Sequence, residues 1–96
     1  MTRELSEDEL MVVVKFFKPD ANWTWYAVSA YRDKEDSDVQ FFGFVDGFEA
    51  ELGYFWLSEL EGVKGPLGLP VERDLYWNEK SLANVMHEIE VRGAMI

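Results

Sequence analysis

A chain of 96 residues has room for one hydrophobic core but not for a second independent unit, so a single domain over 1–96 is expected, with 1–9 and 93–96 as flexible ends. Four Trp, four Tyr and seven Phe in a sequence nearly half hydrophobic exclude a disordered acidic chain, and the absence of Cys excludes a disulfide framework, a thiolate nucleophile and any Cys-ligated metal. Nineteen acidic residues against nine Lys and Arg leave a charge of −10, which repels nucleic acid and anionic lipid and draws basic surfaces, although solubility alone favours the same excess.

Met11 to Phe17 is β-branched and aromatic and reads as a first strand, stopped by Lys18-Pro19-Asp20-Ala21-Asn22, where Pro and Asp suit a tight hairpin loop. Trp23 to Tyr31 puts large rings at 23, 25 and 31 on one face and Thr24, Tyr26 and Val28 on the other, the period-2 pattern of a second strand antiparallel to the first. The charged run Arg32 to Asp38 is a solvated hairpin tip. Val39 to Val45, ended by Asp46-Gly47, and Gly53 to Leu57 continue the meander as third and fourth strands. Ser58-Glu59-Leu60-Glu61 has capping-box spacing and starts a short helix near 59–63, which three Gly and two Pro between Gly62 and Pro70 terminate. Val71 to Trp77 is a candidate fifth strand. Leu82, Val85, Met86 and Ile89 then fall at i, i+3, i+4 and i+7, an amphipathic helix near 79–91 capped by Asn78 or Ser81. The expected fold is α+β: an antiparallel four- to five-stranded meander sheet with a short helix and a C-terminal helix packed on one face.

Few residues point to catalysis. The sole His, His87, is followed by Glu88 but lacks the second His of an H-E-x-x-H zinc motif, since position 91 is Val, and reads as a surface helix residue. Acid pairs occur at Glu49 and Glu51, at Glu59 and Glu61, and at Glu72 and Asp74 around Arg73, but with one residue in five acidic such pairs arise by chance. Gly62 to Gly68 lacks the lysine and hydroxyl pattern of a phosphate loop. No catalytic residue, metal ligand or cofactor is assigned. No apolar run approaches the roughly 20 residues of a membrane span, and the acidic N-terminus is unlike a signal peptide, so a cytoplasmic protein is expected.

The rings are more informative, because they lie on both faces of the expected strands while one helix covers only one face. A protein interface suits that composition, with Trp23, Trp25, Tyr54 and Trp56 as anchors and Glu35, Asp36, Asp38, Glu49, Glu51, Glu72, Arg73 and Asp74 as the charged surround. Direct stacking on single-stranded nucleic acid needs a basic groove that this chain does not supply.

The segments Val14-Lys-Phe-Phe17, Asn22-Trp-Thr-Trp-Tyr26, Phe41-Phe-Gly-Phe-Val45, Glu51-Leu-Gly-Tyr-Phe55, Leu57-Ser-Glu-Leu-Glu61 and Gly68-Leu-Pro-Val-Glu-Arg-Asp74, in this order and spacing, resemble the domain of unknown function 2958 family. The resemblance covers about Val14 to Trp77; the helix from Ser81 onward lies outside it, and fewer residues precede the first strand than is usual in that family. It implies no activity and no catalytic residues, and a setting on plasmids, phages and other mobile elements. Together with the charge, it leads to the expectation of a small, acidic, non-enzymatic protein-binding module whose partner is a basic protein surface, in concrete form an anti-CRISPR or antirestriction inhibitor of a host nucleic-acid-binding defence complex. Two alternatives stand beside it: a small hydrolase or transferase using Glu72, Asp74 or Glu51 beside Trp25 or Trp56, with Arg73 as an anion contact, and a homo-oligomer that hides the aromatic face against its own copy.

Overall fold

The computed structural model describes residues 9–35, 37–63 and 66–94; the expected chain ends at 1–8, 95 and 96 lie outside the described residues. The architecture is α+β. Its main sheet has five antiparallel strands, β2 (Val14–Phe17), β3 (Thr24–Arg32), β4 (Val39–Asp46), β5 (Ala50–Trp56) and β6 (Glu72–Arg73), in the order β5-β4-β3-β2-β6. A second, two-stranded sheet pairs β1 (Met11–Val12) with β7 (Lys80–Ser81). Helix α1 (Leu57–Gly62) follows β5 directly, and α2 (Leu82–Ala94) closes the chain, so helix continues through Gly93. No helix among the described residues is long and apolar enough to cross a membrane.

The expected first strand divides at Val13. Val13 still donates its N–H to Ala27 O of β3 at 2.9 Å, while Met11 and Val12 turn away to pair with Ser81 and Lys80. The gain is burial: Val12 is fully enclosed beside Tyr26, Phe44, Leu82 and Val85, a core cluster on the face that α2 covers. Ser81, not Asn78, caps α2, its Oγ accepting the Asn84 N–H at 3.1 Å. The expected fifth strand is shorter than its sequence pattern, two residues paired with Phe16 and Phe17, because the chain turns at Leu75-Tyr76. Trp77 instead packs its ring 5.8 Å from that of Tyr26 and donates its indole N–H to Val12 O at 2.9 Å.

Strand β3 holds the main departure from simple alternation. Ala27 pairs with Gly43 but Ser29 pairs with Phe42, so one extra residue on β3 forms a bulge at Val28. The bulge reverses the faces of everything beyond it. Trp25 stays buried with Ala27, Phe41, Phe55 and Leu60 in a second core cluster, whereas Tyr31, expected on the same face as Trp25, shares the face of Tyr26 and is 65% exposed. Both sheet faces therefore carry a core: α2 covers one, and α1 with the connection through Val63 and Val71 covers the other.

That connection is held by a buried charge. Lys18 and Asp20 of the β2–β3 loop have side chains only 3% and 1% exposed, with Lys18 Nζ 3.9 Å from Asp20 Oδ1. Lys18 Nζ donates to Val63 O at 3.2 Å and Leu69 O at 2.9 Å, and Asp20 Oδ2 accepts the Leu67 N–H at 2.8 Å. A loop that reads as a tight hairpin is thus also the clasp that lays Val63 and the 66–71 segment on the sheet.

Helix α1 is also capped differently from its sequence spacing. The Glu59 carboxylate accepts the Trp56 N–H at 3.0 Å, so the first-turn interaction sits two residues earlier than Ser58 and Glu61 would place it. Ser58 is used from outside: its hydroxyl donates to Asp38 Oδ2 and its N–H to Asp38 Oδ1 at 3.1 Å. The Ser58 hydroxyl is the largest influence on the Asp38 carboxyl; desolvation opposes it, the Val39 and Ser58 amides add to it, and together they hold the carboxyl below its ordinary pKa of 3.8. A carboxyl whose pKa is lowered by folding stabilises the fold above its unfolded pKa and loses that contribution as pH falls through the folded value. Asp38→Ala is therefore expected to lower the Tm at neutral pH, with the gap from the parent closing below about pH 3.8; thermal melts across that range check it.

Candidate functional site

Trp23 and Trp25 project from the same side of the sheet at the β2–β3 end, because they stand two positions apart, with Thr24 between them, ahead of the bulge. Their rings lie 6.4 Å apart, and Trp23 meets Phe48 of the β4–β5 turn edge to face at 5.1 Å. Gly47 makes that arrangement possible: a Cβ there would stand 2.4 Å from the Trp23 ring. Phe48 itself is 96% exposed. These rings, with Tyr54, Phe55 and Leu60, line a cleft of about 630 Å³ whose other boundaries are Lys18, Val63 and Glu59. A shallower pocket of about 280 Å³ adjoins it, sharing Trp23, Val45 and Phe48 and adding Glu49 and Glu51.

The cleft is apolar inside and acidic at its rim. Glu49, Glu51 and Glu59 are all exposed, while the one cation among its lining residues, Lys18, is buried and paired with Asp20. Such a site fits a group that is flat or aliphatic along its length and positively charged at its end, because aromatic faces attract cations and carboxylates complete the field.

Of the interface candidates read from sequence, the structure brings together Trp23, Trp25, Tyr54, Glu49 and Glu51. Trp56 is half-buried opposite Gln40 and outside the cleft lining. Glu35 is exposed in the turn after β3, Asp36 lies outside the described residues, and Asp38 caps α1. Glu72 and Arg73 form β6, at the other edge of the sheet from Glu51 on β5, about 19 Å away at four strand spacings. There they line a 160 Å³ pocket with Asp74, Leu75 and Tyr76, and Asp74 pairs with Lys15 at 3.9 Å. The carboxylates named for the hydrolase alternative thus stand at opposite sheet edges. Sequence reasoning missed Phe48, Glu59 and Lys18; an aromatic ring between a turn glycine and a glutamate was the available signal for Phe48.

The fold and cleft define a small α+β meander domain with an aromatic, acid-rimmed surface site. The chain belongs to the family described as Protein of unknown function (DUF2958), whose model matches residues 1–95. That match takes in α2 and the residues ahead of β1, so both ends belong to the family pattern and are not additions peculiar to this chain. No curated protein matches the chain, and no solved structure does.

Proposed function

We propose that this protein is a non-enzymatic protein-binding module that receives a cationic side chain of a basic partner in the Trp23–Trp25–Phe48 cleft. The supporting observation is that the exposed Phe48 and half-buried Trp23, with the buried Trp25 behind them, are paired with three exposed rim carboxylates, Glu49, Glu51 and Glu59, in a chain of charge −10. An Arg or Lys over such rings is worth about 0.5–2 kcal/mol, and the acidic field steers a basic surface toward them. The specific form proposed is a cytoplasmic inhibitor encoded on a mobile element that occupies the basic groove of a host nucleic-acid-binding defence complex, where an acidic protein competes with nucleic acid.

Affinity capture from the host, followed by titration of the purified partner, tests this reading. Binding is expected to weaken steadily as ionic strength rises toward a Debye length of about 3 Å. Trp23→Ala is expected to reduce affinity by about 2 kcal/mol, roughly thirtyfold, measured on folded protein because the half-buried ring also packs on the Trp25 cluster and its loss lowers the Tm. Salt-independent binding, or a Trp23→Ala variant that binds as the parent does, would sink it.

A further inference from the structure

We infer that the partner segment is an extended, basic peptide that adds to the outer edge of β5 as a further strand. The inference rests on the basic-partner reading above and specifies how that partner is held. β5 is the edge strand beside the cleft, and among the described residues no strand pairs with its outer side. Its seven residues, Ala-Glu-Leu-Gly-Tyr-Phe-Trp, pair with β4 in unbroken register from Asp46↔Ala50 to Gln40↔Trp56. The strand has no Pro, no Lys and no bulge, the devices by which exposed edges are ordinarily protected from pairing. The opposite edge is blunt by comparison, since β6 is two residues long, follows Pro70 closely and ends in a turn.

The face of β5 at its centre is also open. A Cβ on Gly53, projecting from the sheet on the Phe55 side, would meet nothing within 4 Å, so side chains of an added strand have room beside it. Leu52 and Tyr54, on one face of β5, are 42% and 70% exposed, while Phe55, on the other, is buried, and Tyr54 and Phe55 both border the cleft. Alternate side chains of an added strand would fall on these two surfaces, which is how strand addition gains specificity beyond its main-chain bonds.

Charge decides among occupants. From Glu35 to Val63 the chain has eight acids, Glu35, Asp36, Asp38, Asp46, Glu49, Glu51, Glu59 and Glu61, and no Lys, Arg or His. All of β4, β5 and α1 fall within that stretch. A second copy paired through β5 would set this acidic half against itself, whereas a basic segment would be attracted to it.

The test uses the whole protein and a capped peptide of alternating Arg and Val as long as β5, with a Glu/Val counterpart and two N-methylated forms, each blocking the amides of one peptide edge. Amide shifts, hydrogen exchange and affinity are read together. The Arg/Val peptide is expected to bind, to slow exchange in Ala50 to Trp56, and to lose at least about tenfold in affinity in one N-methylated form. The exposed Glu51→Lys variant is expected to weaken it further without unfolding the protein. Equal binding of both N-methylated forms would overturn strand addition while leaving the cationic cleft standing. No binding of any Arg/Val form would overturn both. Equal binding of the Glu/Val peptide would also count against both, and a dimer with slowed β5 exchange in the absence of peptide would assign the edge to a second copy and overturn the inference.

Discussion

Lys18→Met is expected to destabilise the protein by about 3–5 kcal/mol, the cost of leaving a buried carboxylate without its counter-charge. The Asp20 side chain is 1% exposed; its Oδ2 has the Leu67 N–H, but its Oδ1 has no hydrogen-bond donor among the described residues and faces Lys18 Nζ at 3.9 Å. Removing the ammonium also leaves Val63 O and Leu69 O without the donor they share. The effect should therefore extend to the cleft, because the clasp is what holds Val63 in its wall. Urea unfolding of Lys18→Met, Asp20→Leu and the double variant forms a cycle that measures the coupling. The double variant should recover much of the loss, since two apolar side chains leave no unpaired charge. Additive losses would mean that the loop charges act separately.

Gly43→Ala is the second large effect. Gly43 lies opposite Ala27 on one side and Gly53 on the other, next to the bulge at Val28. A Cβ at this position would stand 1.9 Å from Tyr26 O and 3.0 Å from Ala27 Cα, which are backbone atoms that cannot swing aside. Relief requires β3 and β4 to separate, at the pair that links the two core clusters through Tyr26 and Ala27. Overpacking of this kind costs about 1–3 kcal/mol where side chains yield, and a backbone clash places this variant at or beyond the upper end. Thermal unfolding measures the cost. Gly53→Ala, with open space around its Cβ, is the control and should remain within about 0.5 kcal/mol of the parent.

Much of the architecture was legible because local signals coincided with tertiary needs. The Leu82, Val85, Met86 and Ile89 stripe appears as the buried face of α2, and the β-branched and aromatic runs appear as β2 to β5. Period-2 counting puts Tyr31 on the Trp25 face because it assumes an unbroken strand, and nothing in Ala27-Val28-Ser29 announces the extra residue that reverses it. Val71 to Trp77 has strand-like composition, yet Trp77 serves the α2-side core, a contact between residues 65 apart in the chain that no local pattern records.

The candidate site divides in the same way. Ring types and acid excess are properties of composition, so the aromatic anchors Trp23, Trp25 and Tyr54 and the rim acids Glu49 and Glu51 could be named from sequence. The candidates at 72–74 could not be separated from them, because sheet order alone puts β5 and β6 on opposite edges. Family membership, the acidic balance and an α+β meander were determined by the sequence itself, through spacing, charge and periodicity that survive without coordinates. The cleft, the buried Lys18–Asp20 clasp and the open β5 edge were decided only in three dimensions, since each depends on which distant segments meet, and chain order does not specify that.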